Sequence, residues 1–254
     1  MKVISVINQK GGVGKTTTSV NVAAFLARMG HSVLLIDLDP QAHATVGVGV
    51  DPDACAGRTI GEVLLSEQLG LGSILVDTYL PALKLAPASI TLSKADSLLH
   101  ARHFREQRLL DSLQAVEGFE FIVIDCQPTL GVLPVNAMVA ADHFLIPTQP
   151  SAYAIRGLGD LLETLNSIKR GPRAWDYRIL LTMVMTQASV ANEAVDRILE
   201  PLRPRVLQTR IARCEALNRG QLQDQPRDVG SFAPSSRAAR DYQQLTEELC
   251  RLWP

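Results

Sequence analysis

Nine residues near the start of the chain, Gln9-Lys10-Gly11-Gly12-Val13-Gly14-Lys15-Thr16-Thr17, leave few folds open. Before them, Val3-Ile4-Ser5-Val6-Ile7 reads as a short, β-branched, buried strand. After them, Val20, Ala23, Ala24, Leu26 and Ala27 recur at helix spacing until Gly30 ends the pattern. A strand, a glycine loop and a helix N-terminus in this order form a phosphate cradle. The glycines let consecutive N–H groups converge on one anion, and the positive end of the helix dipole reinforces them. Lys15 is expected to reach the β- and γ-phosphates and Thr16 to offer its hydroxyl to Mg²⁺. Where the general phosphate-loop pattern has its first glycine, this chain has Gln9, followed by a second lysine, Lys10.

Further apolar runs end in acids. Ser32-Val33-Leu34-Leu35-Ile36-Asp37 predicts a strand, followed by Leu38-Asp39-Pro40-Gln41. Asp37 and Asp39 can act through water on Mg²⁺ or on an attacking water; alternatively they cap the turn before Pro40. Phe121-Ile122-Val123-Ile124-Asp125 has the form of a Walker B strand, buried on both sides and delivering one carboxylate towards the metal. Between these strands, Gln41–Ser93 predicts only loops and edge elements: a short capped helix over Thr59–Ser66, with Ile74–Val76 and Leu83–Leu85 as possible strands. Ser97–Val116 predicts one amphipathic helix with Leu98, Leu99, Phe104, Leu109, Leu110 and Leu113 on its apolar face. Helices over Val132–Ala141, Ala154–Lys169, Ala191–Leu202 and Ser236–Leu252 alternate with strands over His143–Pro147, Arg178–Met185 and Val206–Ile211. This alternation predicts one α/β domain over 1–254, a doubly wound, mostly parallel sheet with helices on both faces and ligands at the strand C-terminal ends.

Charge is distributed unevenly. The whole chain has 25 basic and 26 acidic residues. From Arg197 to Arg240, however, nine arginines face only Glu200, Glu215, Asp224 and Asp228. Such asymmetry points to a C-terminal surface that meets a polyanion. Cys55, Cys126, Cys214 and Cys250 have no paired spacing, which argues against a zinc site or a disulfide framework and fits a reducing cytoplasm. No signal peptide opens the sequence and no apolar run approaches spanning length, so a soluble protein is expected.

The ensemble of Lys10–Thr17, Leu35-Ile36-Asp37-Leu38-Asp39-Pro40-Gln41 and Ile122-Val123-Ile124-Asp125-Cys126 resembles the ParA/Soj partition ATPases, which carry a deviant Walker A loop. The likeness continues through Asn136-Ala137, Ile146-Pro147-Thr148-Gln149, Leu180-Leu181-Thr182-Met183 and Ser236–Tyr242. The resemblance implies a slow, partner-stimulated ATPase with ATP and Mg²⁺ as cofactors and a homodimer formed face to face when ATP is bound. Lys10 would cross to the partner's phosphates, acting as an arginine finger does. Gly11, Gly12, Val13, Gly14 and Lys15 would cradle the phosphates, Thr17 would hold the α-phosphate, and Thr16 would ligate Mg²⁺. Asp39 would position the attacking water, with Asp125 near the metal, and Thr182, Met183 and Arg213 would sit near adenine.

The family's ATP-bound dimer binds double-stranded DNA without sequence preference, and a ParB-like partner stimulates hydrolysis. Arg197, Arg203, Arg205, Arg210, Arg219, Arg237 and Arg240 are the candidate phosphate contacts, since such binding needs charge rather than base readout. The implied location is the nucleoid in the cytoplasm. The cargo is a plasmid or chromosome, or alternatively a protein assembly such as a carboxysome or chemoreceptor cluster reached through a cargo adaptor. This sequence departs from many relatives at Gln127, at Thr186-Gln187-Ala188-Ser189 and at Ala212-Arg213-Cys214. No helix-turn-helix segment is expected before Lys2. Membrane cycling similar to MinD is disfavoured because Tyr242–Pro254 carries Glu247 and Glu248 with only Arg251 as a cation. A metabolic, synthetase-like enzyme would need a substrate pocket that the sequence does not identify.

Overall fold

The computed structural model describes residues 1–169, 175–185, 197–221 and 227–254. In chain order the first half runs β1 (Lys2–Val6), α1 (Lys15–Arg28), β2 (Val33–Leu38), α2 (His43–Gly47), α3 (Ile60–Leu65), β3 (Val76–Asp77), β4 (Leu83–Ala86), α4 (Leu92–Leu99) and α5 (Arg108–Gln114). The second half runs β5 (Phe121–Cys126), α6 (Val132–Ala140), β6 (His143–Thr148), α7 (Ala152–Ile168), β7 (Asp176–Val184), β8 (Val206–Ala212), α8 (Glu215–Gln221), α9 (Val229–Phe232) and α10 (Arg237–Leu252).

The strands form one sheet in the order β3-β4-β2-β5-β1-β6-β7-β8, as expected of a doubly wound architecture. Every pairing is parallel except the short β3 against β4. Strands β2 and β5 are buried at every position, because helices cover both faces. The strand period of two divides their side chains. Leu34, Ile36, Ile122 and Ile124 enter the core beneath α3 to α7, whereas Val33, Leu35 and Val123 enter the core beneath α1 and α10. Register places Asp37 beside Asp125 on neighbouring strands, so both acids arrive at the C-terminal edge together.

The segment between β2 and β5 is more ordered than its sequence pattern indicates. Strand β4 lies inside the sheet rather than at its edge. Pairing of β3 begins only at Val76, because Leu71–Ile74 is a 3₁₀ turn. The short capped helix expected there is present as α3, and the structure adds that Thr59 caps it in a box with Glu62. The single helix expected over Ser97–Val116 is two helices, α4 and α5, with a break between them. Phe104 sits there at φ 53° and is 74% exposed rather than part of an apolar face. The break is held from outside. Asn136 on α6 accepts from the Leu109 N–H at 3.0 Å and donates to the Arg105 carbonyl at 2.7 Å, taking up backbone groups that a continuous helix would pair internally. The first half of the helix expected over Ala191–Leu202, and Thr186–Ser189, lie outside the described residues; Glu200–Arg205 is a 3₁₀ turn.

Candidate functional site

The loop after β1 takes the shape its glycines permit. Gly12 and Gly14 lie at φ 72° and 86°, a left-handed backbone that L side chains resist. A Cβ at either position would meet nothing within 4 Å, so glycine is required by conformation and not by crowding. Gly14 is the N-cap of α1, with no side-chain cap and no acid in the first turn. The N-terminal N–H groups and the positive dipole end therefore face the loop uncompensated.

The two lysines diverge. Lys15 is buried, and its ammonium donates to the Lys10 carbonyl at 3.0 Å. Burial pushes its pKa below the ordinary lysine value, opposed by Asp125, Cys126 and Asp39. The Lys10 side chain is exposed and makes no ion pair among the described residues.

The three aspartates are not equivalent. Asp39 lines a cavity of about 1050 Å³ together with Gly12, Gly14, Lys15, Thr16 and Thr17. One of its oxygens accepts from the Gln41 N–H at 2.9 Å. Asp37 is directed elsewhere. One oxygen accepts from the Asp39 N–H at 3.2 Å, and the other from both the N–H and hydroxyl of Thr45 at 2.7 Å. Its oxygens thus brace the turn, and Asp37 does not line the cavity. Asp125 is wholly buried, with the Ser19 hydroxyl donating to Oδ1 at 2.8 Å. Burial, then the neighbouring Asp37 carboxylate, raise its pKa to about 8, while the Ser19 and Thr16 hydroxyls draw it back.

Asp125 Oδ2 is buried without a hydrogen bond of ordinary geometry. An orphaned carboxylate oxygen beside Thr16 fits a hydrated divalent cation, which brings both positive charge and water donors. Among the described residues no group of three His, Cys, Asp or Glu side chains could hold a metal by itself. A cation here would take its remaining oxygens from water and a phosphate ligand, as Mg²⁺ usually does.

Thr182, Met183 and Arg213 all line the same cavity. The Thr182 hydroxyl, however, donates to the Val13 carbonyl of the phosphate loop at 2.9 Å. The cavity also includes Gln127, Gln149, Cys214, Asn218 and Tyr242, none of which sequence pattern ties to a role. Gln127 and Gln149 directly follow β5 and β6, so the rule that ligands gather at strand C-terminal ends was the available signal. Tyr242 ends the Ser236–Tyr242 stretch that carries the family likeness, whereas no local pattern marks Asn218.

The candidate arginines are spread over several elements. Arg203 pairs with Glu200 at 3.1 Å, and Arg205 pairs with Asp176 while its guanidinium lies 5.0 Å from the Tyr177 ring centroid. Arg237 lies 3.7 Å from Asp241, and Arg240 donates to the Ser235 carbonyl at 3.0 Å. Arg197 precedes the 3₁₀ turn, Arg210 is on β8 and Arg219 is on α8. The closing helix α10 buries its apolar face, Tyr242, Leu245, Leu249 and the following Trp253, in the core. No helix among the described residues is long and apolar enough to cross a membrane.

A family model described as an AAA domain matches residues 1–174. The sporulation initiation inhibitor protein Soj of Bacillus subtilis (strain 168) is 36% identical over 251 residues, covering 98% of each chain. The chain belongs to the ParA/Soj family. The chromosome partitioning protein ParA of Myxococcus xanthus (strain DK1622) is 41% identical over 200 residues, spanning 78% of this chain and 70% of that one. Among solved structures, cobyrinic acid a,c-diamide synthase from Mycobacterium smegmatis, with bound ATP analog and magnesium, matches with TM-score 0.82 and 32% identity, covering 100% of this chain and 96% of that chain. The fold of this ParA/Soj chain is thus shared with a synthase as well as with partition proteins.

Proposed function

We propose that this ParA/Soj chain is an ATPase that positions cargo through an ATP-dependent homodimer on non-specific DNA, with a ParB-like or cargo-adaptor protein stimulating its slow hydrolysis. The reading rests chiefly on the divergence of the two lysines. Lys15 is folded into its own loop, whereas the Lys10 side chain is exposed beside it and makes no ion pair among the described residues. A cation so placed is available to a triphosphate held by a second copy. Neutralising transition-state charge across a dimer would tie hydrolysis to assembly.

The chain's own residues supply the rest. Loop N–H groups and Lys15 would bind the phosphate chain, Thr16 and Asp125 would hold a hydrated Mg²⁺, and Asp39 would orient the attacking water. The metal would neutralise charge on the phosphates when bound. The Soj and ParA relatives support the partition reading, and the ATP analog and magnesium in the synthase neighbour support the cofactors. That neighbour also favours a second reading, an ATP-dependent synthetase. The test is sedimentation velocity with a non-hydrolysable ATP analog and Mg²⁺, with and without Lys10→Ala, followed by DNA binding. A monomer throughout, with Lys10→Ala indistinguishable from wild type, would overturn the partition reading in favour of the synthetase.

A further inference from the structure

The phosphate loop is held by side chains from two other strand ends, in addition to its own glycines. Thr182, 2% exposed on β7, donates from Oγ1 to the Val13 carbonyl at 2.9 Å. Gln149, the first residue after β6, donates from Nε2 to the Gly12 carbonyl at 2.9 Å and to Met183 Sδ at 3.0 Å. Both hydrogens of that amide are therefore engaged. At the loop's start, Asn8 donates to the Pro147 carbonyl at 2.7 Å and accepts from the Lys10 N–H at 2.9 Å. Met183 holds a left-handed backbone, φ 55°, uncommon for a residue with a long side chain. Such strain persists only where the surroundings over-determine it.

These contacts bear on anion binding through the sign of the peptide dipole. A loop that offers N–H groups inward must turn its carbonyls outward. Between Gly12 and Gly14 the backbone is unusually free, so a rotated peptide would present a carbonyl oxygen to the ligand's phosphate. Anchoring the Gly12 and Val13 carbonyls to β6 and β7 opposes that rotation. The geometry points to Thr182 and Gln149 as positioning residues that keep the phosphate loop in its anion-binding form, with Thr182 acting through Val13 rather than by reading the base. This inference rests on the nucleotide reading above and concerns the residues that prepare that site.

Removing an anchor lets loop conformers that cannot bind compete, and the apparent affinity falls by the fraction that remains competent. The bound state is restored once the phosphates are seated, so the loss falls on KM more than on kcat. Titration of a fluorescent ATP analog with Mg²⁺ is expected to show Thr182→Val about tenfold weaker than wild type, since a lost buried hydrogen bond approaches the 1.4 kcal/mol that a factor of ten represents. Thr182→Ser, which keeps the hydroxyl, is expected to restore binding to within about threefold. Gln149→Ala alters a partly exposed side chain and tests the second anchor even if Thr182→Val does not fold; about a fivefold loss is expected. Folded Thr182→Val or Gln149→Ala proteins that bind as tightly as wild type would overturn the proposal. So would a loss in Thr182→Val that Thr182→Ser fails to rescue. Wild-type protein that binds no nucleotide would instead remove the reading on which the proposal rests.

Discussion

Thr45 donates twice to one oxygen of Asp37, from its backbone N–H and from its hydroxyl, both at 2.7 Å. The same hydroxyl accepts from the Ala88 N–H at 3.0 Å, so a buried relay runs from the end of β4 through α2 to the end of β2. Asp37 therefore holds the strand ends, and Asp39, two residues on, faces the cavity. Asp37→Ala would leave buried donors unpaired and is expected to cost about 3 kcal/mol in urea denaturation. Asp39→Ala is expected to stay within about 1 kcal/mol of wild type, because its one bonded oxygen serves a partly exposed loop N–H, yet to lose hydrolysis and accumulate the ATP-bound dimer. If the two variants lose stability equally, this division of labour is wrong.

The lysines predict separable defects. Lys15→Ala removes the ammonium that faces the cavity and is expected to reduce ATP binding beyond detection by calorimetry. Lys10→Ala leaves the Lys10 carbonyl, which receives Lys15, in place. Monomer affinity for ATP is expected to change less than about threefold, while the analog-dependent shift in solution mass disappears. Retained ATP affinity in Lys15→Ala would refute the phosphate-loop assignment, and retained pairing in Lys10→Ala would refute delivery of a cation in trans.

The features legible in sequence were those carried by short-range pattern. The glycine loop, the apolar strands ending at Asp37 and Asp125, and the Ser236 start of the last helix all depend on neighbours within a few residues. The missed features depend on distant partners. The break near Phe104 is held by Asn136 on another helix, and periodicity over Ser97–Val116 continues through it unaltered. The role of Asp37 could not be separated from that of Asp39 because strand-end acids look alike until Thr45 folds beside one of them. The contact from Thr182 to Val13 spans 169 residues in sequence. Likewise, Glu248 on α10 accepts from the Gln208 and Thr209 N–H groups at 2.8 and 2.9 Å, covering part of an edge strand by means that strand propensity cannot reveal.

The burial of Asp125 makes stability depend on pH. Its pKa is raised to about 8 and that of Asp37 to about 6, against an ordinary value of 3.8, with burial the largest cause for each. Because both folded-state values lie above the unfolded ones, the favourable contribution is complete below about pH 4 and is lost as pH rises through about 6 and then 8. Nucleotide-free protein is therefore expected to be less stable at about pH 8.5 than at about pH 6. Asp125→Asn, which removes the charge while the Ser19 hydroxyl keeps an acceptor, should flatten that dependence, raise stability at the higher pH by about 1 kcal/mol and abolish Mg²⁺-dependent hydrolysis. Urea titrations of both proteins at the two pH values check the sign. An Asp125→Asn variant with an unchanged pH profile would mean that the buried carboxylate is not the source.

The arginines offer the final discrimination, between charge that packs and charge that meets DNA. Arg205 pairs with Asp176 and lies against Tyr177, an arrangement in which the guanidinium is part of the β7–β8 edge. Arg203 and Arg240 are exposed. Non-specific binding to a phosphate backbone releases counterions, and each contact contributes about one to the slope of log K against log salt. With ATP analog present, Arg203→Ala and Arg240→Ala are each expected to lower that slope by about one while leaving the melting temperature near wild type. Arg205→Ala is expected to lower the melting temperature and leave the slope in place, because its loss is one of packing. Fluorescence anisotropy on an unrelated duplex across a salt series makes the measurement. A wild-type slope near zero would remove DNA from the proposal, and a slope lost through Arg205 alone would place the contact at the sheet edge.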